Sequence, residues 1–305
     1  MLEQTDATFD LHAQWPPAPF PGLRPFQSRH DPDESLIFYG RNREKDEILA
    51  RLNTSHLVFI VGPSGCGKSS LVKVGVLPAL EAGLLTRAGT DWRTAEMRPG
   101  DRPLRNLATA LATFAATGDS TFADKVHDVL CNENNGIWLV AEMLATRTIT
   151  QPLVVLIDQF EEIFGPQVSS RDECKCLLDA IIDFAAKPHP NLYLITTMRT
   201  DFLGACANFP KLADVINQTL FVTPVLRDED LKDVITLPVE DYHGEAEPEL
   251  VSTIVKDASS QLGYNPDHLP LLQHALLWLW NRSVADAGLA DCPPRPGADA
   301  PAGPS

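Results

Sequence analysis

Short, uninterrupted apolar runs alternate with amphipathic stretches over the first two-thirds of the chain. Leu57 to Val61, Pro152 to Ile157 and Leu192 to Thr197 are almost wholly hydrophobic. Such runs are the pattern of strands buried on both faces of a parallel sheet, so three core strands are predicted there. Between them, apolar residues recur at helical spacing. Arg43 to Leu52 puts Ile48, Leu49 and Leu52 on one side and charges opposite, and Cys174 to Ala186 reads as a second helix. Ser69 to about Leu80 predicts a helix kinked or ended near Pro78, since proline has no N–H to give the preceding turn. Within 88–150 the periodicity predicts helices over Pro103 to Phe114 and Ile137 to Ala145, with loop for the rest. After Pro224 the strand signal stops, and Leu226 to Ile235, Glu249 to Ser260 and Leu269 to Arg282 read as three helices.

Strands alternating with helices imply an α/β fold built on a parallel sheet, here followed by a small helical domain. The predicted boundaries are an extended, proline-punctuated arm over residues 1–35, the sheet-containing core over 36–225, a helical lid over 226–285 and a disordered tail over 286–305. The tail prediction rests on five prolines, five alanines and three glycines within it. No internal repeat is visible.

Composition narrows the picture modestly. The 305 residues include 25 Lys and Arg against 41 Asp and Glu, a formal charge of −16. Neutralising phosphates needs a surplus of positive charge, so this balance argues against a protein that coats duplex DNA. The six cysteines are scattered without CxxC spacing, which suits a reduced compartment better than a disulfide framework. Met1 to Trp15 has no apolar signal core, and Leu269 to Trp280 is too short and too interrupted to cross a bilayer. The expectation is a soluble cytoplasmic chain.

Chemistry enters at Gly62-Pro63-Ser64-Gly65-Cys66-Gly67-Lys68-Ser69, which matches G-x-x-x-x-G-K-[ST] at every fixed position. It follows an apolar strand and opens a helix, as its mechanism requires. Glycines let the backbone wrap a phosphate, successive N–H groups point at it, and the helix adds the positive end of its dipole. Gly62, Ser64, Gly65, Cys66, Gly67, Lys68, Ser69 and Ser70 are therefore the predicted nucleotide-binding residues. Lys68 is expected to reach the β- and γ-phosphates, and the Ser69 hydroxyl to ligate Mg²⁺. Asp158, closing the second apolar run, is the natural second Mg²⁺ residue, because ligands bind at the carboxyl ends of parallel strands. Glu161 and Glu162 follow. Either can serve as the base that activates water, with Glu162 the favoured one and a solvated helix start the plainer alternative.

The third strand runs into Arg199, placed to sense a γ-phosphate or, more plainly, to pair with Asp201. Phe38-Tyr39-Gly40-Arg41 precedes the first core helix; it can arch over an adenine ring or simply pack. His268 and His274 lack Cys/His company, so no zinc site is expected.

Taken together, these motifs resemble the novel-STAND branch of the signal-transduction ATPases, relatives of NACHT and AAA+/apoptosome-type ATPases. The likeness is carried by Pro21-Gly22-Leu23-Arg24-Pro25-Phe26, Phe38-Tyr39-Gly40-Arg41, the glycine loop through Lys73, and Trp92 to Pro103 with its Arg98-Pro99-Gly100. Asp158-Gln159-Phe160-Glu161-Glu162, Arg199-Thr200-Asp201-Phe202 and Leu269-Pro270-Leu271-Leu272-Gln273-His274-Ala275-Leu276 complete it. The resemblance implies Walker A and Walker B motifs, with Asp158 on Mg²⁺ and Glu162 as base. It also implies a sensor arginine at Arg199, Phe38 to Arg41 beside the adenine, and Pro270 approaching the nucleotide from the helical domain. It further implies a slow ATPase that serves as a signalling switch, binding ATP/ADP and Mg²⁺ and associating with itself or other proteins when ATP is bound. The likeness fades after Asn281-Arg282, where such proteins continue into a winged-helix unit. The expectation is thus a fragment or minimal module without winged-helix, effector or sensor parts. Two alternatives remain: an AAA+-like ATPase doing mechanical or loading work, and a nucleotide-binding scaffold that does not hydrolyse.

Overall fold

The computed structural model describes residues 15–27, 32–85, 88–113, 120–146, 151–262 and 268–287. These divide into two compact units. One gathers the described residues of Met1–Asn42, Ser70–Pro78 and Val225–Ser305; the other holds Arg43–Ser69 and Ala79–Pro224.

The second unit is built on a parallel sheet of five strands: β1 (Leu57–Gly62), β2 (Arg93–Met97), β3 (Leu153–Ile157), β4 (Leu192–Arg199) and β5 (Leu220–Val222). Their order across the sheet is β2-β3-β4-β1-β5, with every neighbouring pair parallel. The three expected strands occupy the middle. Their side chains are buried at nearly every position, which is why continuous apolarity betrayed them. The register aligns Gly62 of β1 with Arg199 of β4, and Ile157 of β3 with Thr196 of β4. The carboxyl ends of all three strands therefore open on one edge. One large hydrophobic core, including Phe59, Leu107, Phe122, Ile157, Phe160 and Phe184, packs this unit.

Residues 88–150 hold more structure than the expected two helices and loop. Arg93–Met97 is an edge strand, paired only with β3, and its less buried positions carry polar Arg93, Thr94 and Glu96. Only Ala95 and Met97 are buried, so the run lacks the apolar density of the central strands. Ser120–Asn132 is a helix whose Phe122, Val126 and Leu130 are buried at four-residue spacing. The three-residue strand Leu220–Val222 and the helix Pro210–Thr219 were likewise not anticipated.

The helix after the glycine loop departs from expectation in its geometry. Helical turns run Lys68–Ser70, then a π-helical stretch covers Leu71–Val76, then Leu77–Glu81. The Leu77 N–H reaches back five residues to the Val72 carbonyl. Pro78, which has no N–H to donate, falls just after this widened stretch, so of the predicted kink or end the helix shows a local widening and continues to Glu81.

In the first unit, helices Asp228–Asp241, Pro248–Leu262 and His268–Asp286 enclose small apolar clusters. Phe20 and Phe26, from the proline-punctuated segment, are buried in this unit with Ile235, Val251 and Leu276, and with Ile37, Val74 and Tyr242 respectively. A 3₁₀ turn covers Glu34–Ile37. The expected tail beyond residue 287 lies outside the described residues. Among the described residues, no helix is long and apolar enough to cross a membrane. Cys66, Cys131, Cys174, Cys176 and Cys206 form no disulfide.

Candidate functional site

The glycine loop leaves the end of β1 with Gly65 and Gly67 at φ values of 73° and 90°, a region that side chains disfavour. Gly62 is needed for space: a Cβ there would lie 2.7 Å from the Cys66 sulfur and 3.2 Å from Thr223. The Lys68 ammonium curls over the loop, donating to the carbonyls of Gly62 at 3.0 Å and Pro63 at 2.8 Å. A cation is thereby held within the concavity that the loop forms.

Beside it stands a compact acid–hydroxyl group. Asp158 directly follows β3 and is only 2% exposed. Its Oδ1 accepts from the Ser69 hydroxyl at 2.6 Å and from the Thr197 hydroxyl at 2.7 Å. Its Oδ2 is buried and makes no hydrogen bond, and its nearest charged neighbour is the Arg98 guanidinium at 3.5 Å. A desolvated carboxylate oxygen without a hydrogen bond is an expensive arrangement unless a cation completes it. An oxygen-rich set of one carboxylate and one hydroxyl suits Mg²⁺, which takes few protein ligands and keeps its waters. The residues present therefore fit that ion, Ser69 and Asp158 being the ones that could hold it.

The chain turns sharply after Asp158. Gln159 adopts a left-handed conformation at φ 59°, and its N–H donates to Thr197 Oγ1 at 3.0 Å. Thr197 thus accepts from the turn and donates to Asp158, tying the end of β3 to β4. This turn delivers Glu161 and Glu162. Glu162 Oε2 accepts from the Gly100 N–H at 2.8 Å, and Glu161 Oε2 accepts from the Arg199 N–H at 3.2 Å. Each glutamate therefore has one backbone donor, and they point to different strand ends, Glu162 to the segment after β2 and Glu161 to β4. Arg199 itself pairs with Asp201 Oδ2 at 2.5 Å, leaving its buried Nε without a hydrogen bond.

In the other unit, Phe38 lies edge-on to Phe26 with ring centroids 5.2 Å apart, and Tyr39 donates to Asp241 Oδ2 at 2.5 Å. Burial, then that hydrogen bond, pushes the Tyr39 phenol far above its ordinary value. Arg41 and Ser70 are buried, and Pro270 is half-buried in the first turn of His268–Asp286. Gly40 has φ 78°, and a Cβ there would meet Val234 at 2.6 Å and the Asp230 carbonyl at 2.7 Å. Gly40→Ala is accordingly expected to reduce unfolding free energy by about 2 kcal/mol, from left-handed strain plus overpacking. Chemical denaturation of the two proteins measures it.

The sequence reading therefore brings Lys68, Ser69, Asp158, Glu161, Glu162 and Arg199 to one sheet edge. Thr197 and Arg98, which also face Asp158, are not among the residues predicted from the sequence. Thr197 is, with Thr196, one of two buried threonines in a largely apolar strand, a signal that was available. Arg98 follows an edge strand that the pattern did not reveal. Among the described residues, no group of three or more His, Cys, Asp or Glu side chains is arranged to hold a metal.

A family model described as Novel STAND NTPase 1 matches residues 19–290. The sulfate/thiosulfate import ATP-binding protein CysA of Bordetella pertussis is 36% identical over 61 residues, covering 20% of this chain and 17% of the transporter protein. Among solved structures, the Aeropyrum pernix ORC2 protein in ADPNP–ADP complexes is similar with a TM-score of 0.56 at 16% identity. That match covers 82% of this chain and 64% of the other. The Aeropyrum pernix ORC1 protein in complex with DNA is similar with a TM-score of 0.52 at 18% identity, covering 82% and 63%. At such identities the likeness is one of fold. The chain spans under two-thirds of these structural relatives and about a sixth of the transporter protein.

Proposed function

The chain belongs to the novel STAND NTPase 1 family and is an ATP-binding P-loop NTPase; from that premise we propose that it is a slow, Mg²⁺-dependent ATPase acting as a signalling switch. The observation that carries this reading is the Ser69–Asp158 pair. A hydroxyl from the glycine loop and a buried carboxylate share one hydrogen bond, while the second carboxylate oxygen is left for a cation. Ser69 and Asp158 would hold Mg²⁺, which would neutralise phosphate charge there. The chain's own residues supply the rest. The loop N–H groups and Lys68 bind phosphate, Thr197 fixes the Asp158 rotamer, and Glu162, held by the Gly100 N–H, takes the proton of the attacking water.

Phe38 to Arg41 and Pro270 are proposed to serve the adenine side. The proposed domain division keeps the core at 36–225 and the helical lid at 226–285. Slow turnover suits a timer, because each ATP then marks a lasting state.

Turnover and size test the proposal together. Hydrolysis is expected well below the roughly 10 per second typical of enzymes. Glu162→Gln is expected to reduce it further, about a hundredfold, with ATP still bound. Light scattering is expected to give a larger mass with Mg²⁺ and a slowly hydrolysed ATP analogue than with ADP. Equal mass in both states contradicts the switch. The ORC1 neighbour solved with DNA keeps ATP-driven work on nucleic acid as the alternative reading. Stimulation of turnover by duplex DNA would favour it, against the −16 charge.

A further inference from the structure

The segment after β2 is arranged around the two acids of the site more closely than the proposed reaction requires. Arg98 Nη2 lies 3.5 Å from Asp158 Oδ2, the one carboxylate oxygen there without a hydrogen bond. Two residues on, the Gly100 N–H holds Glu162. The backbone between them is pinned. Asn106 Nδ2 donates to the carbonyls of Arg98 at 3.2 Å and Pro99 at 2.9 Å, and the Asp101 carbonyl accepts from the N–H and hydroxyl of Ser169 at 2.9 and 2.8 Å. The Arg98 side chain, by contrast, is 56% exposed. Main chain and side chain thus differ in freedom: the peptide is fixed and the guanidinium is free to leave.

We propose that Arg98 is the resting occupant of the cation position at Asp158, competing with Mg²⁺ for Oδ2. This inference rests on the reading of Ser69 and Asp158 as the Mg²⁺ residues and adds its regulation. Oδ1 is already satisfied by two hydroxyls, so any cation approaching Asp158 must take the oxygen that faces Arg98. A guanidinium and a divalent ion cannot share that oxygen without mutual repulsion. Free Mg²⁺ therefore meets a site whose charge is already balanced. A metal–nucleotide complex would also be held through its phosphates by Lys68 and the loop N–H groups, and that added binding would let its cation displace the guanidinium into solvent. The device makes the site selective for the metal–nucleotide complex over the bare ion. Arg98 is a positioning residue in this account, since it acts through Asp158.

Mn²⁺ titration of the nucleotide-free chain, followed by electron paramagnetic resonance, tests this without reference to turnover. Arg98→Gln is expected to bind Mn²⁺ about fivefold more tightly than the parent, the effect of removing one partly solvated charge. Arg98→Lys, which keeps the charge, is expected to stay close to the parent. With a slowly hydrolysed ATP analogue present, the difference between parent and Arg98→Gln should shrink. Asp158→Asn should weaken Mn²⁺ in every background. If Arg98→Gln leaves Mn²⁺ affinity unchanged or lower while Asp158→Asn weakens it, the competition is wrong and the site stands. If Asp158→Asn changes nothing, the cation site itself is misplaced and both ideas fall.

Discussion

Replacing Lys68 with alanine is expected to lower ATP affinity by a few hundredfold while leaving the fold intact. The ammonium spans the mouth of the glycine loop on the carbonyls of Gly62 and Pro63, at 3.0 and 2.8 Å. Those acceptors are neutral, so anionic phosphate oxygens entering the loop are stronger partners for the same donors. A hydrogen bond to a charged group contributes about 1.5–3 kcal/mol, and two such bonds account for a loss of the expected size. Stability should change little, because the lost bonds are partly solvated and the loop shape comes from its glycines. Calorimetric titration with ATP measures the effect, and thermal unfolding controls for the fold. Unchanged affinity would remove the loop from nucleotide binding.

Asp158→Asn is expected to reduce Mg²⁺-dependent hydrolysis by about a thousandfold, the upper range for removing one electrostatic stabiliser. The amide can keep its oxygen toward the Ser69 and Thr197 hydroxyls, so the end of β3 should remain tied to β4. What disappears is the charge on a buried side chain that has one oxygen free of hydrogen bonds. The effect should therefore be confined to the metal-dependent step. In buffer with chelator, ATP should bind this variant and the parent within about twofold, since the phosphates still meet Lys68 and the loop N–H groups. Steady-state turnover across a Mg²⁺ series, set beside chelated binding, separates the two. A variant that hydrolyses like the parent would show that Asp158 plays no part in holding metal.

Much of this arrangement was legible before any coordinates, for identifiable reasons. Central strands are buried on both faces, so Leu57 to Val61 and Leu153 to Ile157 can be apolar throughout, and such runs are conspicuous. The glycine loop announces itself because few residue types tolerate its backbone: Gly65 and Gly67 hold φ values of 73° and 90°. Asp158 was readable because a charge at the end of an apolar strand has few structural explanations.

Other features depend on partners far away in sequence. Arg93–Met97 is a strand because β3 offers it hydrogen bonds, and its own pattern of two buried residues is faint. Arg98 acquires meaning only from Asp158, sixty residues later. Thr197 looks like a polar flaw in β4 until its hydroxyl is seen joining Asp158 to the Gln159 N–H. The π-helical stretch after the loop has no sequence mark beyond Pro78, where a kink or an end is predicted and where the helix widens and then continues to Glu81.

The proposal as a whole stands on a divalent ion held between the loop hydroxyl and the strand-end acid. The most direct measurement is a crystal structure of the full chain with Mn²⁺ and a slowly hydrolysed ATP analogue, using the anomalous signal to locate the metal. The account predicts a single strong manganese peak about 2.2 Å from Ser69 Oγ, on the Oδ2 side of Asp158. Lys68 should be turned from the Gly62 and Pro63 carbonyls onto phosphate oxygens. A nucleotide bound with its phosphates outside the loop, or a manganese peak remote from Ser69 and Asp158, would contradict it.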